Sequence, residues 1–426
     1  MMATKTRILS LLISAILMVA MLPASCWAGE EVILKGEQYS TRQLTAANVP
    51  TYSNLNDAAK YVRKCMVNRD ADVSFDYKIK TDDIEGWIKQ FDKDIVQKAV
   101  QHTGVSNEGE YLRWQYARCS RYNSVATKLD GVWTARLKYH FTYYTTAEQE
   151  AELGAEINSV LTSLDLGTKD DYAVVSAVYD YICSNVSYDQ EGLDKVNNQL
   201  RRGDSNPDYG VFTAYNAMFR HKAVCQGFAT LLYRMLNECG VECRMVAADN
   251  GGNETEDGHA WNLVTLDGKN YYVDSTWDAK QAQRREPYKY LLRGRNDFAD
   301  HDKFTHMHDY IKDVSVANNS YVKGDKVLVK GIRPTSISKL SAGKKYLKVT
   351  WKSLPAVVKG YQIQYATSSK FSKSKKATIS NSNTTSKKIS KLKSGKKYYV
   401  RVRSYKNVEG KKYYSKWSTA KSIKVK

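Results

Sequence analysis

Near the middle of the chain, apolar residues recur at the spacing of a buried helix. The stripe falls at i, i+3, i+4, i+7 and i+8 and consists of Phe228, Leu231, Leu232, Met235 and Leu236. Such spacing predicts a helix with one apolar face. Cys225 lies at its start, where unpaired backbone N–H groups and the positive end of the helix dipole favour a thiolate. Taken alone, the stretch fits either an activated nucleophile or a small buried hydrophobe.

Upstream, alternating and helical patterns predict a small α+β unit over residues 46–145. Helices are predicted at 54–68, capped by Asn54 or Asn56, and at 82–102. Period-two alternation predicts a strand at 73–79 and two further strand-like runs at 111–119 and 133–144. No residues in this unit indicate chemistry, so it is either a packing domain or a substrate-recognition domain.

The region 146–312 should form a second α+β unit around the Cys225 helix. Helices are predicted at 146–164 and 173–185, with a polar surface loop at 190–210. Gly240 is placed to end the Cys225 helix, and an apolar strand at 242–248 follows it. A flexible loop is predicted at 250–253.

A hairpin follows this loop. Residues 258–265 and 269–277 read as two strands, and Asp267-Gly268 is a strong signal for a two-residue turn. That register sets Asp274 opposite Trp261 and Thr276 opposite His259. His259 and Asp274 are then diagonal neighbours on one face, within reach of a side-chain hydrogen bond. A bulge or an odd-length loop would break the register.

Cys225, His259 and Asp274 together provide a nucleophile, a base and a group that orients the base. Each residue has a structural interpretation when it is considered by itself: a core thiol, a strand histidine and a strand-end aspartate. The combination is more specific, because a helix-start cysteine accompanies a His/Asp pair that shares a hairpin face.

Three blocks around these residues, at 223–229, 258–262 and 273–278, resemble the signature blocks of the transglutaminase-like superfamily. The order Cys, His, Asp and the spacings of 34 and 15 residues fit that family, over about 146–310. The tail at 290–292, with Phe298 and His301, is similar to the closing segment of bacterial members. The resemblance implies a papain-like core with the cysteine helix packed on an antiparallel sheet. It also implies acyl transfer through a thioester to an amine, water or another nucleophile.

Beyond the three catalytic candidates, the resemblance implies an oxyanion donor at the Cys225 backbone N–H and an aromatic residue from upstream. Tyr188 is the first candidate for that aromatic residue and Tyr215 the second. Trp261, like Trp277, reads as a groove wall or core residue. We expect neither a cofactor nor a metal. His301, His306 and His308 hint at a metal, but no carboxylate or cysteine frame accompanies them.

The C-terminal segment differs from the rest of the chain in its charge. Residues 333–426 hold 26 of the 65 Lys and Arg residues but one acid, a net +25, which leaves −5 upstream. Regularly spaced strand runs over 334–426 predict an all-β sandwich, joined to the core by a connector at 313–333. The order of Trp351, a strand at 361–365 and a tyrosine-corner candidate, Tyr398, resembles a fibronectin type III domain. Lysines alternate with apolar residues and are predicted to cover the outer faces.

This charge predicts either a module that meets an anionic surface or a solvated, solubilising face. Nucleic acid would bind it only nonspecifically.

Residues 1–28 read as a secretory signal, with Lys5 and Arg7 before an apolar core at 8–22. A lipidated Cys26 is a weaker alternative. We therefore expect a secreted protein, associated with the cell wall through an anionic polymer, and without a transmembrane segment after cleavage.

Seven cysteines leave six after signal cleavage. Their spacing is irregular and does not indicate a disulfide scaffold, although a local bridge between Cys239 and Cys243 is compatible with the sequence.

Taken together, these features of the sequence predict an exported cysteine acyltransferase or hydrolase that acts on proteins or peptides. The alternative is an inactive scaffold of the same fold that binds a surface.

Overall fold

The structure is a computed structural model that describes residues 49–426 apart from 123, 250–257, 285, 303, 305, 308–309, 325–326 and 355–356. All residues before 49, with the predicted signal segment and Cys26 among them, and the loop at 250–253 lie outside the described residues. The predicted α+β class with a C-terminal β-sandwich is confirmed. None of the described helices is both long enough and apolar enough to cross a membrane.

The N-terminal module is a five-stranded sheet with two long helices. Its strands are β1 Thr51–Tyr52, β2 Asp72–Ile79, β3 Tyr116–Arg121, β4 Val125–Leu129 and β5 Val132–Tyr143, and its helices are α1 Leu55–Asn68, α2 Ile84–Ala99 and α3 Glu110–Arg113. The sheet order is β1-β2-β5-β3, with β4 also on β5. Asn54 caps α1 as predicted, by accepting from two backbone N–H groups.

The strand predicted at 111–119 is wrong in its first half. The residues of α3 are helical and the strand starts at Tyr116. Tyr111 is completely buried and its hydroxyl donates to Glu150 at 2.9 Å. Contacts between modules therefore decide the local conformation here, and the alternating pattern does not.

The central domain places one helix against an antiparallel sheet. Its helices are α4 Ala147–Ser163, α5 Asp171–Asn185, α6 Gln190–Arg201, α7 Ala214–Phe219, α8 Cys225–Cys239 and α9 Ser275–Arg284. Its strands are β6 Ser187–Tyr188, β7 Lys222–Ala223, β8 Cys243–Asp249, β9 His259–Leu266, β10 Lys269–Val273 and β11 His306–Met307. The sheet order is β10-β9-β8-β11.

The surface loop predicted at 190–210 is wrong, because its first half is α6. Asp189 caps this helix by accepting from the Gly192 N–H. Leu193 and Val196 bury one side of it beside Val224. Two apolar residues in a polar stretch suffice because the helix needs to cover only a small neighbouring patch.

Helix α8 is buried on every side. The five residues of the predicted apolar stripe are each 0% exposed, but Gln226, Thr230, Arg234 and Asn237 are buried as well. These polar positions form a second stripe that faces protein and not solvent: Gln226 donates to the Trp114 carbonyl of the N-terminal module, and Arg234 forms an ion pair with Glu150 of α4. Gly240 ends the helix as predicted, with a left-handed φ of 80°.

The hairpin register is confirmed. Lys269 pairs with Leu266 and Val273 with Asn262. Asp267 and Gly268 have φ of 50° and 78°, the two positive values of a type I′ turn. However, the second strand ends at Val273, and α9 begins at Ser275. The predicted strand at 275–277, with Thr276 opposite His259, is therefore wrong.

The C-terminal module is a sandwich of two sheets, with strand orders β12-β13-β16 and β15-β14-β17-β18 and with β19 on β17. The strands are β12 Ile337–Gly343, β13 Tyr346–Trp351, β14 Gly360–Ala366, β15 Lys375–Ile379, β16 Ser386–Ser390, β17 Lys397–Val408, β18 Lys411–Tyr414 and β19 Lys421–Lys424. Trp351 is buried against Tyr361. The predicted tyrosine corner is confirmed, because the Tyr398 hydroxyl accepts from the Lys393 N–H at 3.1 Å.

The sandwich packs against the central domain through the end of the connector. The Lys330 and Gly331 N–H groups donate to one oxygen of Asp171 at 2.7 and 3.0 Å. Arg333 forms an ion pair with Glu238 of α8. Lys406 of β17 is 0% exposed, so the prediction that the lysines cover outer faces is wrong at this position, where the central domain covers the strand.

Candidate active site

Cys225 is the first residue of α8. Val224 precedes it in extended conformation and provides no side-chain cap. The Cys225 N–H has no acceptor within the helix, as for any residue of a first helical turn. Gly227 lets the preceding segments come close, since a Cβ there would lie 2.5 Å from the Ala223 Cβ and 3.0 Å from the Thr213 carbonyl oxygen. The thiol thus lies at the positive end of a fixed helix.

His259 and Asp274 are joined by a hydrogen bond of 2.7 Å between Nε2 and Oδ2. The Cys225 side chain lies within hydrogen-bonding reach of the same imidazole. Because Nε2 faces Asp274, Nδ1 is the nitrogen left to serve Cys225. The structure therefore brings the three predicted catalytic residues together.

Asp274 is held in place by capping the helix that follows it, and not by the predicted strand. It follows the last residue of β10 and caps α9, its Oδ1 accepting from the N–H groups of Thr276 at 2.8 Å and Trp277 at 3.2 Å. The carboxylate is completely buried. A helix cap thus fixes the group that orients His259.

The electrostatics favour a charged His259 and a charged Asp274. Burial by itself lowers the pKa of His259, but the charge and hydrogen bond of Asp274, helped by Cys225, outweigh it and raise the pKa to about 10. Burial likewise favours neutral Asp274, yet the charge of His259 and the hydrogen bonds from His259 and His301 hold its pKa well below the usual range. The pair can accept a proton from a thiol and keep it.

Two family models match the chain. The model of the transglutaminase-like superfamily matches residues 158–275, and that of the fibronectin type III domain matches residues 332–421. The chain carries a transglutaminase-like domain followed by a fibronectin type III domain.

Two relatives share part of this sequence. The kyphoscoliosis peptidase of Mus musculus is 29% identical over 129 residues, which are 28% of this chain and 18% of the relative. That of Homo sapiens is 30% identical over 115 residues, 25% of this chain and 16% of the relative. The match spans less than a fifth of either relative's length.

Among solved structures, one described as "Crystal structure of a TGase" is similar at 15% identity and a TM-score of 0.26, covering 54% of this chain and 59% of that one. A fibronectin type III domain of human collagen XX is 19% identical with a TM-score of 0.18, covering 22% of this chain and 88% of that one.

The transglutaminase-like domain also contains a histidine that the sequence did not assign to the site. His301 Nε2 lies 3.0 Å from Asp274 Oδ2, the same oxygen that binds His259. It ends a short 3-10 turn, Ala299–His301. A turn of three residues is too short for a periodic pattern of apolar residues to predict it. The hairpin register does not include His301 either.

The two tyrosines proposed for the oxyanion site lie in different places. Tyr188 pairs with Ala223 in a short parallel ladder, two residues before Cys225, and is 37% exposed. Tyr215 lies on α7, where its hydroxyl donates to Glu152 at 2.9 Å. It lines a polar pocket of about 340 Å³ with Tyr144 and Tyr209. The geometry favours Tyr188 over Tyr215 as a neighbour of Cys225.

Trp261 and Trp277 flank His259 with ring centroids at 5.7 and 5.2 Å. Trp261 is 2% exposed and belongs to the core, whereas Trp277 is partly exposed. Of the two interpretations of Trp261 as groove wall or core, its burial supports the core.

Possible metal ligands in the described residues include His259, Asp274 and His301, whose donor atoms lie within 4.8 Å of one another. The contacts between them are the two hydrogen bonds already given, and a metal would have to replace both. Of the three histidines noted in the sequence, His301 therefore binds the Asp274 carboxylate, while the side chains of His306 and His308 lie outside the described set.

The six cysteines of the described region are free, buried thiols. The bridge considered between Cys239 and Cys243 is therefore absent there. The Asn237 side chain occupies the bend between them and donates to the Cys243 carbonyl at 2.9 Å. Burial raises the pKa of Cys239 to about 12, which makes it a poor nucleophile.

The N-terminal module reaches the helix that begins with Cys225. The Gln226 amide donates to the Trp114 carbonyl at 3.2 Å. Glu110 accepts from the guanidinium of Arg244 and from the Met245 N–H in β8. The sequence indicated no chemistry in this module, and its contacts support a packing role beside the site.

Proposed function

We propose that this chain is a thiol-dependent acyl-transfer enzyme with Cys225 as nucleophile, His259 as base and Asp274 as orienting group. The observation that carries the proposal is the 2.7 Å hydrogen bond between His259 and Asp274, with the Cys225 side chain in reach of the same ring. A nucleophile, a base and an orienter in contact are the minimum set for covalent acyl transfer.

In this mechanism, His259 Nδ1 takes the thiol proton and the Cys225 thiolate attacks the acyl carbon. The tetrahedral oxyanion accepts a hydrogen bond from the Cys225 N–H, with the Tyr188 hydroxyl as a second donor. His259 then protonates the departing amine, which leaves a thioester on Cys225. An amine or a water molecule, deprotonated by His259, releases the acyl group.

Both outcomes of thioester breakdown fit this geometry, namely cross-linking to an amine and hydrolysis of a peptide or amide. The relatives carry the name peptidase, which favours hydrolysis among these. A protein or peptide is the substrate class that we propose. An inactive scaffold of the same fold is the competing function, and the 2% exposure of Cys225 is the observation in its favour.

The predicted signal segment supports export, and the net charge of +25 over 333–426 supports attachment to an anionic cell-wall polymer. Retention on such a polymer should fall steeply as salt rises from 50 to 500 mM if charge carries the binding. A salt-independent interaction would remove this part of the proposal.

Substrate profiling tests the activity itself. The purified chain is incubated with a panel of unfolded proteins, with and without a fluorescent primary amine. Fluorescence incorporated into protein indicates a transferase, and new peptide termini indicate a hydrolase. Cys225→Ser is the matched control, because it conserves shape and removes the thiol. Activity that survives in Cys225→Ser contradicts the proposal.

A further inference from the structure

We propose that His301 is a positioning residue of this site: its Nε2–H donates to Asp274 Oδ2 and limits how strongly that carboxylate holds the His259 proton. The inference rests on the proposed function, because it assigns a role to His301 within that acyl-transfer site. It follows from the hydrogen bonds, the burial and the packing around Asp274.

Asp274 is saturated with donors. Its Oδ1 accepts from two backbone N–H groups of α9, and its Oδ2 accepts from His259 at 2.7 Å and from His301 at 3.0 Å. A carboxylate offers about four lone-pair sites, so all are in use. Since Asp274 is completely buried, water cannot replace a donor that is lost.

Packing holds the His301 ring in the orientation that this contact needs. Phe298 stacks on it with centroids 3.7 Å apart, and Trp277 lies at 4.1 Å. His301 is 4% exposed, and its Nδ1 has no hydrogen-bond partner within the described part of the chain. If packing were the whole demand, an apolar ring would fill this aromatic site without burying a polar atom.

The proton on Nε2 is donated by a neutral imidazole. Burial lowers the pKa of His301, the charge of His259 lowers it further, and Asp274 and Asp300 oppose this. Asp300 is itself engaged by Lys289 and by the Tyr290 hydroxyl. His301 therefore supplies a hydrogen bond to Asp274 without bringing a second positive charge beside His259.

Behind Asp274 lie three other titratable groups. Tyr179 donates its hydroxyl to the Asp274 carbonyl or to Asp278, each at 2.7 Å. Asp278 has a pKa raised by burial, and the buried Cys183 thiol has a raised pKa for the same reason. None of these three groups provides a donor to Asp274 Oδ2, so none of them can replace His301 there.

Asp274 Oδ2 accepts hydrogen bonds from two imidazoles, and each bond makes the oxygen a weaker acceptor for the other. Removing the donor at His301 leaves Asp274 more basic towards His259, so the pKa of His259 should rise further. A more tightly held proton is given up less readily to a departing amine. His301 thus tunes the acid strength of His259.

The test compares two variants by NMR titration of the His259 imidazole. The protein is isotope-labelled at its seven histidines, and the buffer contains a metal chelator. The His259 signal is assigned by its loss in His259→Gln. His301→Gln keeps an N–H donor and loses the ring, whereas His301→Phe keeps the ring and loses the donor. His301→Phe should raise the His259 midpoint by about one pH unit, and His301→Gln should leave it within a few tenths.

A merely structural role would reverse this order, with His301→Phe like the parent and His301→Gln displaced, and that result overturns the proposal. If His301→Phe fails to fold, the inference is tested on the parent protein instead. Its His301 ¹⁵N shifts at pH 7 should report a neutral ring protonated at Nε2, and a ring protonated at Nδ1 or at both nitrogens contradicts the inference.

The outcome is separable from the proposed function. If alkylation of Cys225 does not depend on His259, the acyl-transfer proposal fails, whatever His301 does. If it depends on His259 while both His301 variants titrate like the parent, the inference about His301 fails alone.

Discussion

The two modules that flank the transglutaminase-like domain dock on the same helix in different ways. The N-terminal module meets α8 through charges that are paired: Glu150, in α4 of the central domain, forms ion pairs with Arg234 of α8 at 2.8 Å and with Arg69 of the N-terminal module at 2.9 Å. The C-terminal module presents Lys406 to the last residue of the helix, Cys239. Its ammonium is buried near Cys239 and Asp171 and has no hydrogen-bond partner among the described residues.

The two contacts differ in whether the buried charge has a partner of opposite charge. A buried charge with good partners roughly balances its loss of water, but a charge left without a partner destabilises the folded state. The paired contact at Arg234 therefore fixes how the second half of α8 lies against α4 and the N-terminal module. The C-terminal contact joins the sandwich to the core at a local cost in stability.

Breaking the paired contact should have the largest effect. Glu150→Gln leaves the buried Arg234 guanidinium without its carboxylate and should lower the free energy of unfolding by about 3–5 kcal/mol. Urea denaturation followed by circular dichroism measures it. Glu152→Gln, on the exposed face of the same helix, should change it by less than about 1 kcal/mol. Equal effects of the two variants would contradict the account.

Removing the unpaired charge should act in the opposite direction. Lys406→Met keeps most of the side-chain volume and removes the buried ammonium, so the free energy of unfolding should rise by about 1–3 kcal/mol. Lys421→Met, an exposed position on the neighbouring strand, serves as the control and should be near neutral. A destabilised Lys406→Met would show that the lysine has a partner in solution.

The same lysine gives a pH signature. Burial lowers the pKa of Lys406 in the folded protein, so between that pKa and the unfolded value near 10.4 the unfolded chain binds more protons. Stability attributable to this residue therefore rises with pH across that window. The advantage of Lys406→Met should shrink between pH 7 and pH 10, as measured by urea midpoints, and a constant difference would be the contrary result.

Smaller effects are expected at the end of α8, where a glycine touches the connector. Gly240→Ala imposes a Cβ at φ 80°, 2.9 Å from the Arg333 nitrogen, whereas Gly268→Ala has φ 78° and open space. The second variant isolates the backbone cost of about 1 kcal/mol. Gly240→Ala should cost about 1 kcal/mol more in thermal or urea unfolding, and equal costs would mean that the connector gives way.

The sequence predicted those parts of the site that local patterns encode. Asp267-Gly268 defined the hairpin, and with it the proximity of His259 and Asp274. The stripe after Cys225 defined the helix that presents the thiol. These features depend on residues close in sequence, for which period and turn chemistry are direct signals.

The remaining features depend on contacts that have no local signal. His301 reaches Asp274 from a short turn. Gln226 and Arg234 in the polar stripe of α8 find their partners far away in sequence, at Trp114 and Glu150. Helix α6 is helical because it covers a patch around Val224. Lys406 fits the alternation of an outer face, but the central domain covers that strand. In each case the deciding neighbour is far away along the chain.

The most direct test of the central claim is the pH dependence of iodoacetamide reaction at Cys225, with Cys225→Ser as background. If His259 and the helix start hold the thiol as a thiolate, the rate should change less than about threefold between pH 6 and 8. In His259→Ala it should rise about tenfold per unit, as for a free thiol with a pKa near 8.5. If the parent protein follows that free-thiol slope and His259→Ala changes nothing, Cys225 is not the activated nucleophile.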